Sequence, residues 1–162
     1  MKGAYVFPAD RATCAAFVEA KHYTRRMPVF WAGFALAVSD KIAGVVVYGQ
    51  PSPPIQKHAF TDRDFRLFEL SRLVVQCDMP NAASFLIANS LRQLQPRPSA
   101  VVSYADSEHG HCGIVYQATN WMYTGATRSH DHAYLIDGRR VHPDGPAIEI
   151  MVPAKFTDPW LF

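Results

Sequence analysis

The chain has 162 residues, of which 49% are hydrophobic and 19% charged; that is enough apolar material for one packed core and too little charge for a disordered tail protein. Lys and Arg total 16 against 14 Asp and Glu, a formal charge of +2, which permits nucleic-acid binding without the strongly basic make-up of a dedicated DNA-binding module. Cys14, Cys77 and Cys112 form no CxxC pair and no close zinc spacing, no apolar run approaches the ~18 residues that span a bilayer, and MKGAYVFPAD lacks a signal-peptide core. These features predict free thiols, no membrane partner, a cytoplasmic setting in a reducing cell, and one domain over residues 1–162.

In chain order, Ala4 to Phe7 predict a first strand ended by Pro8. Asp10 is a good N-cap for a helix carrying Cys14, Phe17, Val18 and Lys21 at helical spacing. That helix ends near His22-Tyr23-Thr24, before Arg25, Arg26 and Pro28. WAGFALAV and IAGVVVYG flank Ser39-Asp40-Lys41 and predict an antiparallel hairpin. PSPPIQKHAFTD reads as a surface loop. FRLFELSRLVV predicts a central strand, with Phe65, Leu67, Glu69, Ser71 and Leu73 on one face and Arg66, Phe68, Leu70, Arg72 and Val74 on the other. A helix follows, N-capped by Asn81, with Ala83, Ile87, Leu91 and Leu94 as its buried stripe; Pro96 and Pro98 stop it. SAVVSYAD is a strand, HCGIVYQATNW a helix with Ile114, Ala118 and Trp121 at helical spacing, and MYTG, AYLIDGRRV and AIEIMV are further strand segments. This order predicts an α/β fold with a mixed sheet. A helix starting near the end of a central strand also suggests an anion or pyrophosphate site.

Three segments carry side chains suited to chemistry. Lys21-His22-Tyr23-Thr24-Arg25-Arg26 offers a base or metal ligands beside two phosphate-binding cations, although cations also suit a solvated helix C-terminus. Glu69-Leu70-Ser71-Arg72 places polar groups inside a central strand, where each needs a partner. Ser103-Tyr104-Ala105-Asp106 leads into Ser107-Glu108-His109-Gly110-His111 at a strand's C-terminal end, where open α/β sheets place ligands. Asp106, His109, His111 and His22 are candidate ligands for a borderline metal; His130 and His132 read as loop residues. Asp/Asn-Pro-Pro-aromatic, H-x-E with P-C-x-x-C, P-loop, dinucleotide and G-x-S-x-G elements are all missing, which argues against the corresponding methyltransferase, deaminase, nucleotide and hydrolase chemistries.

His22-Tyr23-Thr24, FELSRL (Phe68 to Leu73), PNAASFLIANSLR (Pro80 to Arg92) and SYADSEHGHCGIVYQATNWMYTG (Ser103 to Gly125) resemble the Mom family, the DNA-modification proteins of Mu-like phages. The resemblance runs from about His22 to Gly125 and is most specific in the block ending YQATNW. It implies a GNAT-like fold: a mixed, mostly antiparallel central sheet flanked by helices. It also implies conversion of adenine in double-stranded DNA to N6-(methylcarbamoyl)adenine, which protects phage DNA from host restriction.

On that resemblance, His22, Tyr23, Asp106, Ser71 and Tyr116 are catalytic. His22, Tyr23 and Asp106 would hold iron, and Arg72, Asn81, Ala83 and Ser84 would bind the donor, acetyl-CoA or another activated acyl or aminoacyl compound. A target base must leave the stack, and Tyr23, Tyr104, Tyr116 and Trp121 would hold it. Arg25, Arg26, Arg128, Arg139 and Arg140 would contact phosphates. One departure stands out. Where GNAT enzymes have a Gly-rich pyrophosphate loop, this chain reads Gln76-Cys77-Asp78-Met79-Pro80-Asn81-Ala82-Ala83-Ser84. The alternative is a GNAT-like N-acyltransferase using acyl-CoA on a small amine or protein. The sequence leaves the assembly open between monomer and homodimer.

Overall fold

The computed structural model of the chain describes residues 3–51, 66–126, 134–136, 139–141 and 148–153. Strand β1 (Ala4–Ala9) continues through Pro8, which lies opposite Phe34 of β2 (Ala32–Val38). β1 is the sheet's edge, and an edge strand tolerates a residue without an N–H; the predicted stop at Pro8 is therefore corrected. Asp10 accepts the Thr13 N–H at 2.8 Å and caps α1 (Arg11–Lys21), which buries Cys14 and Val18. β2 and β3 (Lys41–Gly49) form the expected hairpin, and Ser39 and Asp40 turn it with φ of 49° and 60°. Positive φ at both turn residues matches the twist of the strands it joins.

β4 (Leu67–Val75) pairs antiparallel with β3 and parallel with β5 (Ala100–Asp106), and α2 (Ala82–Gln93) makes the crossover. After the short α3 (Ile114–Gln117) come β6 (Trp121–Ala126), β7 (Tyr134–Ile136), β8 (Arg139–Val141) and β9 (Ile148–Pro153). The main sheet runs β1-β2-β3-β4-β5-β9-β6, and β7 pairs with β8 separately. Every neighbouring pair is antiparallel except β4–β5, so the sheet is mixed and mostly antiparallel, as expected.

Two apolar layers sandwich this sheet. Ala35, Val45, Val47 and Val74 pack with Cys14 and Val18 of α1. Phe34, Leu36, Val46, Tyr48, Phe68 and Leu70 pack with Leu86 and Ile87 of α2 on the opposite face. β2 and β3 are buried on both sides, hence their near-continuous apolar runs.

Three local expectations are corrected. In β4, Tyr48 faces Leu70 and Val47 faces Arg72, so Ser71 is the extra residue of a β-bulge. The bulge breaks the alternation: Phe68 and Leu70 lie on the α2 face, but beyond it Leu73 and Val75 take that face and Val74 turns to α1. In α2 the buried residues are Ala82, Leu86, Ile87 and Ser90, with Leu94 just beyond. Ser90 belongs to the stripe because its hydroxyl meets Tyr48 Oη at 2.7 Å and the Ile87 carbonyl at 3.0 Å. Finally, the helix expected to reach Trp121 stops at Gln117; Ile114 is 69% exposed and Trp121 begins β6. No helix among the described residues is long and apolar enough to cross a membrane.

Candidate active site

The site follows from where β4 and β5 part. Their parallel pairing covers only Leu67↔Ala100 to Leu70↔Ser103. Beyond that point β4 pairs only with β3, and β5 only with β9. The split falls beside the Ser71 bulge. A cavity of about 290 Å³ opens at it, walled by Leu70 to Leu73 of β4, Tyr104 and Ala105 of β5, the 110–116 segment, and His22 and Tyr23 from the end of α1.

His22 is the C-cap of α1 and is 9% exposed. Its Nδ1 accepts the Thr24 N–H at 3.1 Å and faces Thr24 Oγ1 at 2.9 Å. An N–H can only donate, so the neutral ring carries its proton on Nε2. Burial, with the nearby Arg72, His111 and His109, pushes its pKa down to about 4; His22 is neutral at pH 7. The Tyr23 ring stacks on His22 at 4.3 Å and on His109 at 4.1 Å, with His111 edge-on at 5.5 Å. Burial and the nearby Asp106 charge push its phenol up to about 12. Asp106, 6% exposed at the end of β5, accepts at Oδ2 from His109 Nδ1 at 2.9 Å.

The far wall is buried and hydrogen-bonded. Ser103 Oγ lies 2.9 Å from the Leu70 carbonyl and 2.6 Å from Tyr116 Oη. A carbonyl only accepts, so Ser103 gives its proton to Leu70 and the Tyr116 hydroxyl donates to Ser103. Burial holds the Tyr116 phenol above its ordinary pKa. Arg72 reaches back to the loop after α1: its Nε donates to the Arg26 carbonyl at 3.1 Å and its Nη1 to the Ser71 carbonyl at 2.6 Å. Burial lowers the Arg72 pKa, and burial raises that of Glu69, one bulge away.

The structure thus gathers His22, Tyr23, Ser71, Arg72, Tyr104 and Tyr116 around one cavity, with the Asp106 charge beside Tyr23 at its mouth. Trp121 is not among the lining residues; it is 6% exposed and packs on Tyr116 at 5.0 Å, so it supports a wall rather than stacking on a base. Asn81 stands at the N-cap of α2 but makes no side-chain cap bond; its φ of 60° explains an Asn there. Asn81, Ala83 and Ser84 lie outside the cavity lining. Their helix still presents the Ala83 and Ser84 N–H groups at its first turn, ahead of the Phe85 N–H bonded to Asn81. Arg25 and Arg26 are exposed in the turn after His22. Arg139 and Arg140 lie on β8, opposite Ile136 and Leu135. Arg128, His130, His132 and the proline-rich loop from Ser52 lie outside the described residues.

Iron gains no support. Among the described residues no group of three or more His, Cys, Asp and Glu side chains is disposed to hold a metal ion. In the trio assigned to iron, His22 Nδ1 is taken by Thr24 and Asp106 Oδ2 by His109. The His22 and Asp106 donor atoms are thus engaged with neighbours outside the trio, and the three do not fit a metal as arranged. Ser103, which anchors Tyr116, was named in a candidate segment but given no role; its signal was a polar residue inside the otherwise apolar run AVVSYA.

The chain matches the Mom protein family over residues 4–149. It belongs to the Mom family. It is 32% identical over 133 residues to the methylcarbamoylase Mom of Escherichia phage Mu; the match covers 77% of this chain and 54% of that protein, so the chain spans about half the length of this relative. The fold of this chain is similar to that of solved GNAT acetyltransferases. A GNAT family acetyltransferase from Elizabethkingia anophelis, with acetyl-CoA bound, superposes with a TM-score of 0.59 at 11% identity, over 94% of this chain and 99% of that one. A chimera of spermidine N-acetyltransferase from Vibrio cholerae gives 0.62 at 11% identity, over 96% and 98%.

Proposed function

We propose that this chain modifies phage DNA, placing a methylcarbamoyl group on the exocyclic N6 of adenine to give N6-(methylcarbamoyl)adenine, and so shields that DNA from host restriction enzymes. Membership of the Mom family and the name of the Mu relative support the reaction class. One observation carries the reading: His22-Tyr23 and Asp106, more than eighty residues apart in sequence, converge at the mouth of a cavity in the β4–β5 split.

The N6 lone pair is delocalised into the purine ring, so the amine is a poor nucleophile and needs a positioned base. N6 attacks an electrophilic carbon of the donor. The N6–C bond forms as the bond to the leaving group breaks, the leaving group departs with the electron pair, and an N6 proton passes to the Asp106 carboxylate. Tyr23, with its phenol at about 12, keeps its proton at neutral pH and acts as a hydrogen-bond donor. His22, neutral at neutral pH, adds no charge beside Arg72. Between the parted strands, backbone groups of Ser71 to Leu73 and of Tyr104 to Asp106 border a gap that suits an extended, amide-bearing donor arm. The acetyl-CoA bound to a fold neighbour makes a coenzyme A thioester that carries the methylcarbamoyl group on sulfur, with the thiolate as leaving group, the first donor to examine. Double-stranded DNA must present its base extruded, and Tyr23, Tyr104 and Tyr116 are the aromatic rings available to receive it.

The test is mass spectrometry of nucleosides from DNA of cells expressing the chain. A deoxyadenosine heavier by a methylcarbamoyl group is expected, and Asp106→Ala and His22→Ala should each lower its amount by roughly 100-fold or more. Unmodified adenine with the wild-type chain would refute the reading; acetyl-CoA turnover on a small amine, with DNA untouched, would transfer the site to an N-acyltransferase.

A further inference from the structure

We propose that His109 is a positioning residue of this site, acting through Asp106 and Tyr23; the proposal deepens the adenine-modification reading and rests on it. His109 ends a one-turn 3-10 helix, Ser107–His109, directly after β5. Gly110 at φ +72° turns the chain back, and the His111 N–H closes the turn on the Asp106 carbonyl at 3.0 Å. That turn sets the His109 ring over Asp106, where two contacts form at once. Nδ1 donates to Asp106 Oδ2 at 2.9 Å, and the ring face meets Tyr23 at 4.1 Å, leaving Tyr23 between two imidazoles.

Tyr23 needs this clamp. It is 44% exposed, so burial alone does not fix its ring, and a tyrosine free to change rotamer would carry its hydroxyl away from the cavity. Asp106 has the matching requirement, since a reacting carboxylate must present one oxygen in one direction. The contacts of His109 tie the end of β5 to the loop after α1, the two segments that meet across the cavity mouth. Its side chain is 46% exposed, so losing it removes little buried area and a surface-type pair that adds little to stability. A positioning role and a purely structural role therefore predict different outcomes.

The experiment follows the rate at which modified deoxyadenosine accumulates in DNA of cells expressing the full chain. His109→Ala should slow it about 10- to 100-fold, the scale of a misplacement near 1 Å, with the affinity for duplex DNA and the melting midpoint close to wild type. His109→Asn, whose amide N–H lies where Nδ1–H does, restores the bond to Asp106 without the ring against Tyr23 and should recover part of the rate. A wild-type rate in His109→Ala, or a His109→Asn variant as slow as His109→Ala, overturns the proposal. The Tyr23 ring signals in a ¹H–¹³C spectrum read the clamp without any reaction. They should lose the ring-current displacement due to His109 in both His109→Ala and His109→Asn, neither of which has a ring at that position, and unchanged signals in both would overturn it. Absence of modified adenine with the wild-type chain would instead remove the adenine reading, leaving the spectrum to decide the clamp.

Discussion

Among single residues, His22 sets the clearest pH dependence. Its folded pKa is pushed to about 4, first by burial and then by Arg72, His111 and His109, while an unfolded histidine titrates near 6.5. The unfolded chain therefore binds the extra proton first as pH falls. The contribution of neutral His22 is fully present above about 6.5 and is lost progressively down to about 4. Denaturant melts should show stability falling across that window, less steeply in His22→Gln, and the imidazole signals should titrate with a midpoint near 4. A midpoint near 6.5 would show that the ring is not buried in solution. His22, Tyr23 and Asp106 were legible as candidates because each is a polar group at the end of a predicted element. Their convergence was not, because it depends on the strand split and on the Gly110 turn. The same turn hid His109 and His111: in the sequence they read as metal ligands, in the fold they are rings packed around Tyr23.

Among the elements, the sequence order of strands and helices was legible, and the errors all have local causes. Alternation in FELSRL assumes an unbroken ladder, and one extra residue, Ser71, reverses the faces beyond it. The bulge also coincides with the end of β4–β5 pairing, so the irregularity that misled the pattern lies at the cavity. The α2 stripe was misread because Ser90 looks like a surface residue. Tyr48 is fully buried, and Ser90 Oγ is the partner of its hydroxyl. Ser90→Ala should leave that hydroxyl unpaired and cost about 1–3 kcal/mol in denaturant unfolding. Tyr48→Phe should cost less, since Ser90 still donates to the Ile87 carbonyl. The double variant should be more stable than the sum of the two losses predicts; simple additivity would show that the two hydroxyls do not meet in solution.

For the molecule as a whole, the formal charge of +2 is too small to hold a duplex by net attraction, so the proposed DNA contact must come from local concentration of cations beside the cavity. Arg25 and Arg26 are the described arginines placed for it. They follow His22 directly, they are exposed, and the Arg25 N–H closes its turn on the His22 carbonyl at 2.9 Å. Arg72 fastens that turn to β4 by donating to the Arg26 carbonyl, so the two guanidinium groups are carried on the same chain segment that brings Tyr23 to the cavity mouth. Each phosphate neutralised releases about 0.9 of a counterion from duplex DNA. The double variant Arg25→Ala with Arg26→Ala should therefore lower the slope of log K against log salt by about 1.8. It should weaken binding to all sequences alike, because phosphate contacts position the duplex without reading its bases. An unchanged slope would move the footprint away from the α1 turn, leaving the arginines of β8 as the next to substitute.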